Sequence, residues 1–353
     1  MIDKELALAD ELGDDALLGH GLAAKAVAHW VFTEHRESAE AGGRAVELLR
    51  EAGDLWRLVA ASGFLVLSLV YLGRLEEALR VGQEFGPLAE RLGNSASMMQ
   101  HRRSPALVDL FTTGDIDRFE AFAAGDRDFC QRAGLPWVST AWLWLGWCRY
   151  LKGDWDAAVP LLEEAVRRDP PGTAFTGWSA GVLFECLAYR GDKPQALAVL
   201  EGRPFPALGE PKTSTAVVVA LGATEGLTVL GERERAAALY PSIVDIWERA
   251  GVPCPSYDGG RLVQRAAGIA AFAGRDYDPA EAHFRLALEQ AAAIPHRIEE
   301  AHTRRWYGRM LLERDRPGDR DRAAGVLRAS VADFQRMGMP KHREMSERLL
   351  AEA

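Results

Sequence analysis

Patterns that mark secreted or membrane-spanning proteins are missing from this chain of 353 residues. It contains only four cysteines, none in a Cys-x-x-Cys pair, so reduced and mostly buried thiols are expected. The N-terminal stretch MIDKELALADELGDD is charged and lacks the apolar segment of a signal peptide. No uncharged run is longer than 16 residues, and one of that length, 58–73, contains serines and glycines that argue against a membrane span. The sequence therefore predicts a cytoplasmic protein without membrane contact.

An excess of positive charge is also missing. The chain has 42 Lys and Arg against 51 Asp and Glu, a formal net charge of −9. Binding to phosphates needs a basic surface, so direct binding of nucleic acid by this chain is not expected. Residues 285–353 differ, with 14 basic and 11 acidic residues, so that the rest of the chain carries −12. This difference is either an ordinary mixture of solvated charges or a basic end on an acidic chain.

Stretches rich in Val, Ile and Thr are rare, so a large sheet is not expected. What recurs instead is an apolar stretch, a glycine, one or two polar residues and an Ala-rich amphipathic stretch. Six such glycines follow one another at intervals of 41, 39, 38, 40 and 43 residues: Gly73, Gly114, Gly153, Gly191, Gly231 and Gly274. A period of this length is typical of solenoids built from helix pairs. We expect each glycine to end a helix in the left-handed conformation and the acidic residue after it to cap the next helix.

The most regular copy of the pattern is AWLWLGWCRYLKGDWDAAVPLLEEAVRRDP, residues 141–170. It resembles the tetratricopeptide repeat family, which places Trp, Leu and Gly on a first helix, two spaced alanines on a second helix, and a closing proline. The matching positions are Trp142, Leu145, Gly146, Ala158, Ala165 and Pro170. Arg149 stands where the family usually has tyrosine, and the other copies keep mainly the turn glycine and an alanine. The resemblance implies two helices per repeat that approach closely at Gly146 and Ala158.

The repeat predicts an all-α fold, a right-handed α-α superhelix of the tetratricopeptide-like type. We expect about seven to eight helix pairs with a period of about 40 residues, longer than the 34 usual for this repeat. The whole of 1–353 is expected to form a single array, because each repeat needs to contact only its neighbours. Its units are expected near 1–54, 55–95, 96–135, 136–172, 173–212, 213–252, 253–295 and 296–353.

The stretch from 299 to 342, EEAHTRRWYGRMLLERDRPGDRDRAAGVLRASVADFQRMGMPKH, carries a second resemblance. It is similar to the terminal repeats of actinobacterial multidomain regulators. Those proteins join a LuxR-type DNA-binding domain or a class III cyclase to an ATPase and a helical-repeat tail. At the other end, KELALADELGDD has two interpretations: the second helix of a repeat whose first helix lies in a longer parent protein, or the solvated first helix of a stand-alone protein.

No pattern of a known catalytic or metal-binding type stands out. The phosphate-binding pattern Gly-x-x-x-x-Gly-Lys-Ser/Thr and the Gly-x-Ser-x-Gly elbow are both absent. Glu299 and His302 have the spacing of half a di-iron site, but no second Glu-x-x-His accompanies them, so a polar helix start is the simpler interpretation. Asp154, Asp192 and Asp319 are expected as helix caps. The sequence thus predicts a protein that is not an enzyme, with no catalytic residue, cofactor or metal.

Aromatic residues crowd the middle third of the chain. The register of the tetratricopeptide family places Trp147, Tyr150 and Trp178 on first helices, facing the concave groove, where they are expected to form an aromatic floor for a ligand. Packing between repeats is the alternative role. The same register places six further residues along the groove: Glu185, Glu225, Arg265, His302, Arg305 and Arg309. Arginines suit a carboxylate, including a peptide terminus, although they also form salt bridges with Glu.

These patterns predict a non-catalytic scaffold that binds a protein, a peptide or a small effector in the concave groove. Its expected role is the sensor or regulatory part of a bacterial transcriptional or cyclase-type signalling protein, in which a ligand changes the curvature of the array. A stand-alone peptide- or protein-binding adaptor is the alternative, and an enzyme with an unrecognised site is a third interpretation. Assembly into an oligomer is compatible with each of them.

Overall fold

Helices make up all the regular secondary structure in the part of the chain that the computed structural model describes, residues 2–171, 176–201, 213–254 and 260–353. This confirms the all-α prediction. The helices are α1 (Ile2–Leu12), α2 (Asp15–Val31), α3 (His35–Glu51), α4 (Leu55–Tyr71), α5 (Leu75–Leu92), α6 (Ser95–Thr113), α7 (Ile116–Arg132), α8 (Val138–Lys152), α9 (Trp155–Arg168), α10 (Ala180–Arg190), α11 (Lys193–Glu201), α12 (Ser214–Val229), α13 (Arg233–Ala237), α14 (Tyr240–Ala250), α15 (Val263–Ala273), α16 (Tyr277–Ala293), α17 (Arg297–Arg314), α18 (Asp319–Arg336) and α19 (Pro340–Glu352).

Consecutive helices pack against each other in pairs along the array. The pairs α2–α3, α4–α5, α6–α7, α8–α9, α10–α11, α15–α16 and α17–α18 are each joined by a short turn and packed side by side. Two short helices, α13 and α14, follow α12 in place of a single partner helix. The first helices also contact one another from repeat to repeat, as α4 does with α6 and α10 with α12. They therefore line the inner side of the superhelix, and α19 packs on α18 at the C-terminal end.

The turn glycines behave as predicted at five of the six positions. Gly73, Gly114, Gly153, Gly191 and Gly231 all have φ between 72° and 87°, the left-handed conformation that ends a helix. The prediction was wrong at the sixth. Gly274 has φ of −77°, and Arg275 has φ of 64° instead. The hydrogen bond that closes this turn runs from the Asp276 N–H to the Ala271 carbonyl, so residue 275 takes the left-handed position.

Acidic residues cap the following helices after three of the turns, whereas Glu232, after Gly231, makes no side-chain cap and the prediction was wrong there. The carboxylates of Asp115, Asp154 and Asp192 each accept a hydrogen bond from the backbone N–H three residues later, over 3.0, 3.3 and 3.2 Å. Such a bond satisfies one of the N–H groups that the first turn of a helix leaves free. The same prediction was wrong for Asp319. It is the first residue inside α18, and its carboxylate is paired with Arg314.

The two helices of a pair approach closely where the first helix carries glycine. A Cβ at Gly146 would lie 2.6 Å from Leu162 Cγ, and a Cβ at Gly308 would lie 2.5 Å from Leu327 Cγ. These distances are too short for any other residue, so α8–α9 and α17–α18 need glycine at these points. The predicted close approach at Gly146 is therefore confirmed. Ala158, on α9, is fully buried.

Successive turns of the superhelix touch each other. A Cβ at Gly73, after α4, would lie 2.9 Å from Ile294 Cγ2, and a Cβ at Gly114, after α6, would lie 2.6 Å from Met337 Sδ. The turn at Gly153 packs in the same way on the start of α19. Three successive repeats of the N-terminal half thus rest on the C-terminal repeats.

Side chains and backbone groups strengthen this closure. The ring of Phe111 on α6 stacks on His296 with 4.0 Å between centroids. The Arg297 Nε donates a hydrogen bond to the Thr112 carbonyl, and the Ser214 hydroxyl donates to a backbone carbonyl at the end of α2 over 3.0 Å. The superhelix is therefore wound so tightly that its inner side is filled largely by its own residues.

Candidate functional site

A cluster of buried charges lies on the inner side of the superhelix, between α10 and α17. We call it the charged network, and its ionised members are Glu185, Glu225, Glu299, Arg261, Arg265 and Arg305. Each is at most 5% exposed. Charges removed from water this completely are tolerated only when they are paired and hydrogen-bonded. Three carboxylates and three guanidinium groups leave the network neutral when all six are ionised.

Glu225, on α12, has the largest number of partners among the three carboxylates of the charged network. Its Oε1 accepts hydrogen bonds from the Tyr189 hydroxyl over 2.5 Å and from Trp306 Nε1 over 3.0 Å. The carboxylate is also paired with Arg265 and, at 3.4 Å, with Arg305. Burial alone would raise the pKa of Glu225, but the two guanidinium groups outweigh burial and lower that pKa to about 2. Glu225 therefore stays ionised at any pH at which the protein is used.

Glu185 and Glu299 occupy the two sides of Glu225. The Tyr150 hydroxyl donates to Glu185 over 2.5 Å, and Arg261 pairs with the same carboxylate. Burial raises the pKa of Glu185 to about 7, against the opposing effect of Arg261. On the other side, Arg265 makes a two-pronged contact with Glu299, over 2.8 and 2.9 Å. The network thus contains one carboxylate that titrates near neutral pH.

Two buried histidines connect the charged network to α19. Arg305 Nη1 donates to His342 Nδ1 over 3.0 Å, and in that tautomer the His342 Nε2–H points to the Tyr150 carbonyl, 3.4 Å away. Burial lowers the pKa of His342 to about 3 and that of His302 well below its usual value. Both imidazoles are neutral near pH 7, so they add no charge beside Arg305.

The predicted aromatic floor is absent from the structure. Trp147, Tyr150 and Trp178 are 5%, 2% and 5% exposed, and each packs against different neighbours. Trp147 meets Phe119 edge-on, Tyr150 belongs to the charged network, and Trp178 stacks on Trp30 with 6.3 Å between centroids. The expectation of one exposed aromatic surface was therefore wrong, because the closed superhelix covers the inner faces of the first helices.

The other predicted groove residues lie on the inner side, as their register required, but most of them bind one another. Glu185, Glu225, Arg265, His302 and Arg305 are buried. All but His302 are ionised members of the charged network, and the His302 ring lies 3.4 Å from the Arg305 guanidinium. Apart from Arg305, they do not line an open groove. A role for any of them in ligand binding stays a prediction.

Arg309, the last of the predicted groove residues, borders a cavity of about 330 Å³. We call this cavity the basic pocket, because its lining includes three arginines, Arg305, Arg309 and Arg348, against one carboxylate, Glu352, beside the rings of Tyr189 and Trp306. The Arg309 guanidinium is partly buried and lies over the rings of Trp306 and Phe272, 5.1 and 5.6 Å from their centroids. Within the described residues it makes no hydrogen bond or ion pair; Glu313, one turn further on, pairs with Arg233 instead. Burial lowers the pKa of Arg309.

A second cavity, of about 140 Å³, lies at the other end of the inner side, against α2, α4 and α6. We call it the aromatic cavity; its walls include Trp30, Phe64, Trp137 and Trp178, and its polar edge includes Gln100, Arg103 and Ser139. The indoles of Trp30 and Trp178 are nearly parallel, at 17°, and Phe64 meets Trp30 edge-on at 6.0 Å. No described residue lines both cavities.

Several site residues were missed by reasoning from the sequence. Tyr189 lies four residues after Glu185 on the same face of α10, so the helical register contains the signal that would have found it. Arg261 lies just before α15, outside the helical periodicity, so helical register could not have identified it. His342 reaches the network only because α19 packs on α8. Gln100 is one of seven glutamines in the sequence, and no motif sets it apart from the others.

Two other kinds of site are missing from the described ranges. No group of three or more His, Cys, Asp or Glu side chains there is arranged to hold a metal ion. None of the helices described has both the length and the apolar character needed to cross a membrane.

The raised pKa of Glu185 predicts how the stability of the folded protein depends on pH. The folded state binds a proton at Glu185 up to about pH 7, whereas the unfolded state loses it near the ordinary value of 4.5. The stability of the native protein therefore falls as the pH rises from 4.5 to 7. Since Gln mimics the protonated acid, the stability of Glu185→Gln relative to wild type is expected to rise by about 3 kcal/mol over this interval. Urea denaturation at a series of pH values measures the difference, and the exposed Glu248→Gln is the control. Parallel profiles for wild type and Glu185→Gln would contradict the prediction.

Comparisons with known proteins agree with this architecture. The tetratricopeptide repeat family model matches residues 140–171, the unit that carries the sequence resemblance. Among solved structures, a Rap protein complexed with competence and sporulation factor is similar at a TM-score of 0.53 and 10% identity, over 94% of this chain and 96% of that chain. Naa15/Naa10 bound to HypK-THB aligns at a TM-score of 0.27 and 14% identity, over 94% of this chain and 55% of that one. No curated protein matches the sequence. The fold is thus that of a tetratricopeptide-like helical-repeat solenoid.

Proposed function

We propose that this chain is a non-catalytic repeat scaffold that binds the carboxylate of a ligand, a peptide C-terminus or a small acidic effector, in the basic pocket. One observation carries the proposal: the partly buried Arg309 guanidinium borders a cavity of about 330 Å³ and has no acidic partner among the described residues. Ligand sites typically have volumes of roughly 300–1,000 Å³. A carboxylate can accept two parallel hydrogen bonds from a guanidinium group.

The electrostatics of the basic pocket favour an anion. Arg305 already shares its charge with Glu225, and Arg348 is paired with Glu344 at the surface. Arg309 is the arginine of this pocket that has no ion-pair partner among the described residues, and it is held in place by the two aromatic rings beneath it. A ligand carboxylate would therefore pair with Arg309 without breaking an ion pair made by Arg309 itself.

Binding in the basic pocket would affect contacts between helices across the inner side of the superhelix. Arg305 lies in the same pocket and contacts Tyr189 on α10, Glu225 on α12 and His342 on α19. A ligand carboxylate beside Arg309 competes with Glu225 for the Arg305 guanidinium. We propose that this competition changes how α19 packs on the array, which converts ligand binding into a change of shape.

The biological setting that we propose is the sensor or regulatory part of a bacterial transcriptional or cyclase-type signalling protein. Two observations support it: the resemblance of residues 299–342 to the terminal repeats of such regulators, and the similar fold of a Rap protein that was crystallised with a bound factor. A stand-alone adaptor is the alternative. An output domain encoded next to these repeats in the parent gene would favour the sensor, and its absence would favour the adaptor.

Replacing Arg309 by methionine tests the carboxylate site. The probes are a random peptide pool with free C-terminal carboxylates, the same pool with amidated C-termini, and a panel of small carboxylates. We expect wild type to retain peptides from the free-carboxylate pool or to bind members of the panel. Arg309→Met should weaken that binding by roughly ten- to a hundredfold, since hydrogen bonds to charged groups contribute about 1.5–3 kcal/mol. Isothermal titration calorimetry measures the affinities.

The control is Arg316→Met, which removes an exposed arginine outside the basic pocket, paired with Asp278. It should leave binding unchanged. Higher salt should weaken binding to wild type, because part of the attraction is screened. The proposal fails if wild type binds neither probe class, or if amidated and free-carboxylate peptides bind equally well to wild type and to Arg309→Met.

A further inference from the structure

The aromatic cavity has features of a second ligand site, distinct from the basic pocket. Its volume of about 140 Å³ is close to the ~150 Å³ of an engineered apolar cavity that binds benzene. The parallel indoles of Trp30 and Trp178 and the edge of Phe64 offer flat apolar surfaces. Aromatic side chains contribute specific stacking geometry in addition to buried area. The walls of the aromatic cavity are therefore shaped to hold one ring of a ligand.

One wall of the aromatic cavity carries a buried amide with free hydrogen-bonding groups. Gln100, on α6, is 6% exposed, and its carboxamide makes no hydrogen bond with any other described residue. A Cβ at Gly63 would overlap Gln100 Oε1, so glycine on α4 makes room for the amide in this position. The polar atoms of this carboxamide are not among the fully buried, unpartnered ones of the described residues, so they are reached from the open space of the cavity. A ligand that offers a carbonyl or an N–H could therefore form a hydrogen bond with Gln100 there.

The charges beside the aromatic cavity are already neutralised. Arg103 donates two hydrogen bonds to Asp126, over 2.9 and 2.6 Å, and a third to the Trp137 carbonyl over 3.0 Å. Both partners of the ion pair are at most 2% exposed. The pair has no net charge, so the cavity offers no counterion to a charged ligand. Transfer of an ion into it would cost several kcal/mol without compensation.

We infer that the aromatic cavity binds a small uncharged molecule with one ring and an amide or carbonyl substituent. The ring lies between the aromatic walls, and the substituent meets the carboxamide of Gln100. This inference does not depend on the carboxylate site, because the two cavities share no described lining residue. The scaffold would then respond to two chemically different ligands.

The experiment compares three probes of similar size on the full chain: benzamide, benzoate and benzene. Benzamide should bind wild type in the millimolar range or tighter, with benzoate at least tenfold weaker because its charge has no counterion. Gln100→Leu should weaken benzamide about fivefold and leave benzene unchanged, as expected for one lost hydrogen bond. Val27→Phe fills the cavity and should abolish the binding of benzamide and of benzene. Gln335→Leu, at an exposed position, is the matched control.

Nuclear magnetic resonance titration gives the affinities, and thermal unfolding shows whether each variant is folded. The selectivity of wild type for benzamide over benzoate is decisive even if a variant does not fold. Equal affinities for these two probes, no binding of benzamide to wild type, or equal effects of Gln100→Leu and Gln335→Leu would each overturn the inference. In those cases ordered water would be the partner of Gln100. None of these outcomes bears on Arg309 and the carboxylate probes.

Discussion

Replacing Arg265 by methionine is expected to lower the free energy of unfolding by about 3 to 5 kcal/mol, the usual cost of removing one partner from a buried ion pair. Arg265 is 5% exposed and pairs with Glu225 and with Glu299. Methionine has a similar length but no charge, so both carboxylates would lose their principal counterion while remaining buried. Urea denaturation followed by circular dichroism measures the change.

The control for Arg265 is Arg316→Met, which breaks an exposed pair with Asp278 and should cost at most about 1 kcal/mol. Adding Glu299→Gln to the Arg265→Met variant should recover part of the loss, because it removes one of the uncompensated charges. If Arg265→Met costs no more than Arg316→Met, the charged network contributes no more than a surface pair. Its role in holding α12, α15 and α17 together would then be refuted.

Phe111→Ala should cost about 3 to 5 kcal/mol and loosen the contact between turns of the superhelix. Phe111 is 2% exposed, and its ring stacks on His296 from the C-terminal half. Removing the ring leaves a cavity at the point where α6 meets α17. Hydrogen exchange should show lost protection in both α6 and α17, although these helices are far apart in the sequence.

The matched control for this prediction is Phe284→Ala. Phe284, on α16, is fully buried and contacts Gly268 and Tyr307 on the helices next to it in sequence. Its loss should cost a similar amount, but with reduced protection confined to α15, α16 and α17. Protection lost only around α6 in Phe111→Ala would show that the turns of the superhelix are not energetically coupled.

The helix pairs were predictable because the signals that form them are local. A left-handed residue such as Gly153 is encoded within a few positions of the turn, and the cap at Asp154 is encoded beside it. The failure at Gly274 was also local. The closing hydrogen bond lies one residue further along, so Arg275 adopts the left-handed conformation. This conformation is less favourable for arginine than for glycine. The sequence pattern alone does not choose between two adjacent positions for that bond.

The candidate site was predictable only in part, for a different reason. Helical register places Tyr150, Glu185 and Glu225 on one side of the array, and the structure brings them together in the charged network. Whether that side faces solvent depends on how tightly the superhelix is wound. Winding is the sum of small rotations between repeats, and no motif encodes it. Trp178 was consequently assigned to an open groove, although it stacks on Trp30.

The contacts between superhelical turns have a consequence for synthesis of the protein. The Arg297 contact with Thr112 joins residues 185 apart, and the His342 contact with Tyr150 joins residues 192 apart. A ribosome adds about 5–20 residues per second, so the inner faces of α6 and α8 wait on the order of 10 to 40 s for their partners to be made. Most solenoids can fold repeat by repeat as they emerge. In this one the nascent N-terminal half carries uncovered apolar surface until its last helices leave the ribosome.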